Sequence, residues 1–299
     1  MIFTERILAH RGRIQNIREG RFPYPVFAIL HFSYACSQKC KGCAYSGWNN
    51  GYVMEEEKAF RVVESLLTYG IKNFEFGGGG EPTMLPYLPK LIEYIIMKEG
   101  NYGILTNGVL LQGELAEMLA KTASYIRVSV ETGNREEYRK YKGINDFDTV
   151  RDNVLNLLAI RDKDTQVSLK FNKLTEDGEC DYGEFTGLDV DSYQCKRIVR
   201  EGSPETDYPY IQKCYLNQLH TVIDAYGDVY LCCYYYEREE AHRIGNILES
   251  SFYSIWGSDT HKKALENIDM SICRRYDCRF FKYHKIIDDI SKRGRADFL

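Results

Sequence analysis

His31-Phe32-Ser33-Tyr34-Ala35-Cys36-Ser37-Gln38-Lys39-Cys40-Lys41-Gly42-Cys43-Ala44-Tyr45 decides the reading of this chain, because it places three thiols in one short loop behind an apolar run. The run, 27–32, reads as a strand. A cubane iron–sulfur cluster takes four thiolates, one per iron. Three from a single loop leave one iron open, and an open position is what a catalytic metal needs. The same spacing also suits a structural zinc ion, with His31 as a fourth donor, or three unrelated thiols.

Outward from that loop, further strand candidates lie at 73–76, 102–106, 125–130, 167–171 and 191–196. Helix patterns separate them, with apolar residues at three- and four-residue steps. Ala59, Val62, Val63, Leu66 and Leu67 form one, closed by Gly70 as a C-cap. Leu88, Leu91, Ile92, Ile95 and Ile96 form another, closed by Gly100, and Val150, Val154, Leu157 and Leu158 a third. The segment 174–188 is polar and contains glycine, so the fifth crossover helix is expected to be missing. This alternation predicts an α/β fold with a parallel sheet. Within residues 22–205 six strands fit an incomplete (β/α)6 TIM-like barrel better than a full eight-stranded one.

An N-terminal extension, 1–21, precedes the barrel. Gly202, Pro204 and Pro209 interrupt the pattern near 200–212. Beyond them, 206–299 is expected to be a small α+β domain. It has a hairpin turning at Asp224-Ala225-Tyr226-Gly227-Asp228, a helix around 251–268, and a basic, aromatic tail.

The fourth strand carries its own geometry. In Tyr125-Ile126-Arg127-Val128-Ser129-Val130-Glu131 the side chains alternate between two faces. Ile126, Val128 and Val130 suit packing against helices, so Arg127, Ser129 and Glu131 point into the barrel. Buried charge is costly unless paired or used. A glutamate at a strand's C-terminal end therefore reads as a ligand contact, with an Arg127–Glu131 ion pair as the structural alternative. Ser168, Lys170 and Asn172 repeat the pattern on strand five, where Lys170 meets an anion or ends in solvent.

Phe76-Gly77-Gly78-Gly79-Gly80-Glu81-Pro82 ends strand two and Thr106-Asn107-Gly108 ends strand three. With the three-cysteine loop, these motifs in this order resemble the radical S-adenosylmethionine (SAM) superfamily over residues 22–200. The resemblance implies a [4Fe-4S] cluster on Cys36, Cys40 and Cys43, with SAM on the open iron. It implies SAM contacts from Gly78, Gly79, Gly80, Glu81, Asn107, Ser129, Glu131 and Lys170. An aromatic residue before the last cysteine often lies beside the adenine in this family. That position is Gly42 here, and Tyr45 is the substitute.

Cys214, then Gly227-Asp228-Val229-Tyr230-Leu231-Cys232, then Cys273 and Cys278 resemble the twitch form of the SPASM domain. The resemblance implies a second, auxiliary [4Fe-4S] cluster on these four cysteines, with Cys233 the rival of Cys232 and zinc the rival metal. Ten cysteines without a secretion signal point to metal or redox use rather than disulfides. Cys180, Cys195 and Cys233 remain as small buried hydrophobes. Cys195, alternating with Tyr193 and Arg197, would be a hydrogen-atom donor if it reached the barrel.

The 299 residues are 44% hydrophobic and 27% charged, as in soluble globular proteins. A net charge of −4 gives no reason to expect nucleic acid or an anionic membrane as partner. Residues 1–20 lack the apolar core of a signal peptide or anchor, and no apolar run reaches membrane-span length. A cytoplasmic location is expected. The resemblance implies reductive cleavage of SAM to a 5′-deoxyadenosyl radical, fed by an external one-electron reductant such as flavodoxin or ferredoxin. Residues 1–21 are too few for the peptide-binding domain that many peptide-modifying relatives carry. The expected substrate is therefore a small polar molecule (a sugar, aminocyclitol or nucleotide) that is oxidised, epimerised or rearranged. Modification of a ribosomal peptide is the alternative. A non-catalytic electron carrier is the reading from another class, and the glycine segment with Ser129 and Glu131 speaks against it.

Overall fold

The computed structural model describes residues 9–174, 178–198, 213–236, 238–273, 278, 283, 284 and 287. Six parallel strands come first: β1 (Phe27–His31), β2 (Asn73–Phe76), β3 (Asn101–Thr106), β4 (Tyr125–Glu131), β5 (Gln166–Lys173) and β6 (Ser192–Arg197). Each lies beside the next, so that Phe74 pairs with Ala28 and Tyr102, and Val128 with Thr106 and Leu169. This is the partial barrel that the alternation predicts.

Helices α1 (Arg11–Arg18), α2 (Glu56–Thr68), α3 (Leu88–Met97), α4 (Gly113–Thr122), α5 (Arg135–Lys142) and α6 (Phe147–Ile160) fall before or between these strands. α2 buries Ala59, Val62, Val63 and Leu66, and α3 buries Leu88, Leu91, Ile92 and Ile95, in one core with Phe74, Phe76 and Ile104. Each large side chain so buried is worth about 1.5–3 kcal/mol, which is why the three–four spacing in the sequence is enough to dock the helices. Gly70 takes the left-handed conformation after α2 (φ +76). After α3 the left-handed residue is Glu99 (φ +58), not Gly100, so the expected cap is one residue late.

Among the described residues no α-helix joins β5 to β6. A short 3-10 turn, Gly183–Phe185, and the rings of Tyr182, Phe185 and Tyr193 cover Phe171 instead. Cys180 and Cys195 form a disulfide across this cover, with Cα atoms 5.7 Å apart. Two expectations are corrected here. These two thiols are paired rather than free, and Cys195 shares the outer face of β6 with Tyr193, away from the lumen.

The hairpin adds more than a separate unit. β7 (His220–Asp224) runs parallel to β1, with Phe27 opposite His220 and His31 opposite Asp224. β8 (Asp228–Tyr230) and β9 (Arg243–Asn246) follow antiparallel. All nine strands form one sheet, in the order β6-β5-β4-β3-β2-β1-β7-β8-β9. The expected boundary at 205/206 lies outside the described residues. α7 (Glu239–His242) lies between β8 and β9. The helix expected at 251–268 is split into α8 (Phe252–Ile255) and α9 (Asp259–Glu266), because Gly257 turns left-handed (φ +82) and Ser258 caps a new start. α10 (Met270–Cys273) follows.

At the opposite, N-terminal end of the barrel, Ile17 of α1 packs with Leu216, Leu219, Tyr283 and Ile287. Above this floor a lumenal cavity of about 520 Å³ is lined by Arg127, Ser168 and Gln194 among others. Among the described residues, no helix is long and apolar enough to cross a membrane.

Candidate functional site

The last turn of α5 grips the three-cysteine loop. Lys39 N–H donates to the Lys142 carbonyl (3.0 Å) and Lys41 N–H to that of Tyr141 (2.8 Å). Gln38 Nε2 donates to Tyr138 Oη (2.9 Å). A helix leaves its last carbonyls without intrahelical partners, and here the cysteine loop supplies two of the donors. α5 begins where Asn134 accepts from Glu136 and Glu137 N–H, and ends at Gly143 (φ +73). Gly42 has no room for a side chain, since a Cβ there would collide with Tyr141 Oη. Tyr141 Oη thus stands where a side chain on residue 42 would begin.

Cys36, Cys40 and Cys43 lie close enough to act on one another's thiols. Burial pushes all three up, Cys40 to about 11. Thiols so disposed ionise together when a cationic metal core supplies the opposing charge. His31 is not their fourth donor: it is buried beneath Gly78, with Nδ1 3.3 Å from Tyr235 Oη. The donor set fits an iron–sulfur cluster with one open iron better than closed zinc.

Gly78 (φ +84) and Gly79 (φ +68) curl the segment after β2 over the β1 loop. A Cβ on Gly78 would strike the His31 ring, and one on Gly79 would stand 2.7 Å from the Ser33 carbonyl oxygen. Gly80 is equally tight against Ala35. Glycine is required at all three positions by the close approach of residues 31–35. Glu81 is a bracket: its carboxylate accepts from Thr83 N–H (3.1 Å) and Oγ1 (2.6 Å), Thr106 Oγ1 (2.7 Å) and Asn107 N–H (2.6 Å). With those bonds made, Glu81 positions the glycine turn rather than reaching outward. Asn107 does reach the cysteine loop, donating to Ser37 Oγ at 3.2 Å.

Inside the barrel Ser129 and Glu131 face the lumen as the alternation predicts. A β-bulge between them and a left-handed Glu131 (φ +78) aim the carboxylate. Its partner is Lys170, whose Nζ stands 3.1 and 2.9 Å from the two oxygens, and Asn172 Nδ2 also donates to it. The Arg127–Glu131 pair gives way to a Lys170–Glu131 pair. Burial alone would raise the Glu131 pKa, but Lys170, Lys142 and Arg127 outweigh it and hold the carboxyl below its ordinary value.

In the C-terminal part, Cys214, Cys273 and Cys278 surround Met270. Cys232 sits beside both Cys233 and Cys278, and its thiol is raised by the Cys233 contact and by burial. The donor atoms of His220, Cys232 and Cys233 lie within 4.8 Å of one another. Arg238 Nη1 donates to Cys273 Sγ (3.3 Å), and His284 Nε2 lies 3.4 Å from Cys214 Sγ. The four predicted cysteines are thus drawn together, and this thiol-rich set suits a sulfur-ligated metal centre. Tyr45 joins the two regions: its hydroxyl donates to the Cys233 carbonyl (3.1 Å), and its ring meets His31, Tyr235 and Tyr236. Tyr141, Lys142, Arg238 and His284 went unnoticed in the sequence, because only the tertiary fold brings them to the thiols.

Residues 30–169 match the Radical SAM superfamily, and residues 214–279 match SPASM, an iron–sulfur cluster-binding domain. The chain is similar to the probable GTP 3′,8-cyclase of Methanococcus maripaludis, 28% identical over 128 residues, 42% of this chain and 43% of that one. It is similar to the antilisterial bacteriocin subtilosin biosynthesis protein AlbA of Bacillus subtilis, 25% identical over 138 residues, 45% of this chain and 31% of that one. These matches span less than half of either relative. Streptococcus suis SuiB, solved bound to its precursor peptide SuiA, has the same fold, with a TM-score of 0.66 at 13% identity over 88% of this chain and 71% of that one.

Proposed function

The chain belongs to the radical SAM superfamily and carries a C-terminal SPASM domain, and from that premise we propose that it modifies a peptide. Its cofactors are a [4Fe-4S] cluster, SAM and further iron–sulfur clustering in the SPASM domain. When bound and reduced by an external one-electron donor of the flavodoxin or ferredoxin class, the first cluster and SAM supply a 5′-deoxyadenosyl radical that removes a hydrogen atom from substrate. Cys36, Cys40 and Cys43 would hold that cluster. The turn at Gly78, Gly79 and Gly80, braced by Glu81, would present backbone groups to SAM, and Asn107, Ser129, Glu131 and Lys170 would face its polar parts. Cys214, Cys232, Cys273 and Cys278 would hold the auxiliary cluster.

The observation that carries the peptide reading is the likeness to SuiB over most of this chain, in a structure that holds a precursor peptide. AlbA, a bacteriocin biosynthesis protein, points the same way. An aromatic face beside the cysteine loop supports it: Tyr52 stacks on the 40%-exposed Tyr226 at 4.6 Å, and apolar peptide side chains suit such a surface. A small polar substrate is the second reading, favoured by the match to a GTP cyclase.

The test is isotopic. Reconstituted protein, SAM and dithionite would be mixed with a deuterated peptide library or with deuterated GTP and sugars. Deuterium should enter 5′-deoxyadenosine from peptides alone. Transfer from GTP or a sugar, and none from peptides, would overturn the proposal.

A further inference from the structure

Lys142 has a side chain only 1% exposed, although lysine is rarely buried without a paired anion. Its nearest carboxylate, Glu131, lies 3.9 Å away and is already gripped by Lys170. Among the described residues its hydrogen bond goes to an uncharged group, the Ser129 carbonyl, at 2.7 Å. With the Tyr138 ring 5.7 Å away and Glu131 at the edge of salt-bridge range, the ammonium has only weak charge partners in a place where burying charge is costly. Its own main-chain carbonyl holds Lys39, and the preceding carbonyl holds Lys41, so the residue is fixed to the loop on both sides of Cys40. Of the charges around Cys40, that of Lys142 acts most strongly on the thiol, and it reaches Cys36 and Cys43 as well.

We propose that Lys142 is a fixed buried cation that sets the reduction potential of the first iron–sulfur centre. One-electron reduction adds a negative charge to the centre and changes no bond in the protein. An ammonium held nearby in a low-dielectric setting stabilises the reduced form more than the oxidised one. Glu131, 3.9 Å from the same ammonium, acts on Cys40 in the opposite sense. Lys142 is thus a positioning residue for charge and needs no contact with SAM or substrate. The inference rests on the first cluster alone, so it stands whichever substrate class proves right.

The measurement is an EPR-monitored redox titration of the reconstituted full chain without SAM. The first centre is identified as the signal that later addition of SAM perturbs. K142M, which keeps the length of the side chain and removes the charge, should move that midpoint to more negative potential. K142R should hold it near the wild-type value, and E131Q should move it to more positive potential. A merely structural lysine would not produce shifts of opposite sign. An unchanged midpoint in a fully iron-loaded K142M would overturn the proposal, as would K142M and E131Q shifting together. If K142M does not retain the first cluster, E131Q decides: a positive shift supports the proposal, and no shift or a negative one refutes it.

Discussion

The first cysteine site draws its donors from one loop held by one helix turn, whereas the second gathers them from the segments around 214, 232 and 273–278. The charges around them differ too. Lys142, Lys170 and Glu131 crowd the first site, while Arg238 donates to Cys273 and His284 touches Cys214 at the second. Three donors leave a metal open to a ligand, and four close it. On the proposed assignment the first site would be the one that binds and cleaves SAM. The second, if all four cysteines hold its metal, would be suited to moving an electron or placing substrate.

The sharpest way to break that division is to remove one thiol from each site. C40A should abolish formation of 5′-deoxyadenosine, with iron falling by about one cubane per chain. C273A should lose a similar amount of iron and keep SAM cleavage, while turnover of the true substrate collapses. Iron analysis and quantified 5′-deoxyadenosine distinguish the two. SAM cleavage lost equally in both variants would show that the sites do not divide the work.

A smaller effect probes the charged surroundings of the first site. E131Q leaves Lys170 and the buried Lys142 without their shared carboxylate, and breaking a buried pair costs about 3–5 kcal/mol. Urea unfolding at pH 7 should show a loss of that order, with weaker SAM binding by the surviving protein. Because the folded-state pKa of Glu131 is depressed, its contribution is present above the ordinary carboxylate range and disappears as pH falls through the folded value. The gap between wild type and E131Q should accordingly narrow in acid. At the second site, R238Q should shift only the midpoint of the auxiliary cluster, towards negative potential, because a hydrogen bond to Cys273 is lost.

The two sites were also unequally legible in the sequence. Cys36, Cys40 and Cys43 fall in one short loop and the glycines in one run, so these motifs in order expose them, and alternation on β4 exposes Ser129 and Glu131. Lys142 lies on a polar helix beside Lys140 and Arg139, where a cation reads as solvated, and only the docking of α5 on the loop buries it. The pairing of Gly42 with Tyr141 joins residues 99 positions apart. No local pattern announces it. The parallel pairing of β7 with β1 is hidden for the same reason, and so is the Cys180–Cys195 bridge, which depends on which face of β6 looks outward.

Between the two sites lies Asp224, wholly buried, with Tyr34 Oη from the loop after β1 at 3.2 Å and Tyr230 Oη from the hairpin at 3.4 Å. Burial raises its pKa from 3.8 to about 6. For a raised group, the stabilising contribution is complete below the unfolded value and lost as pH rises through the folded one. Relative to D224N, wild type should thus lose on the order of 3 kcal/mol between pH 4 and pH 7. Denaturant midpoints across that range measure it. A difference that does not vary with pH would mean that the carboxylate between the sites is already well compensated.

The smallest predicted effect concerns the hydrogen bond that ties the loops together. Y45F keeps the ring among His31, Tyr235 and Tyr236 and removes only the O–H that Cys233 accepts. A single hydrogen bond of this kind contributes about 1 kcal/mol, so global stability should fall by that much. The more telling observable is local. Cys233 adjoins Cys232, and Tyr45 stands two residues past Cys43, so loosening this bond slackens both metal-binding loops together. Chelator-driven iron release should quicken at the first and second centres alike in Y45F. Faster release from one centre alone would mean that the loops are held separately, each by its own neighbours, and that the division between the sites extends to their stability.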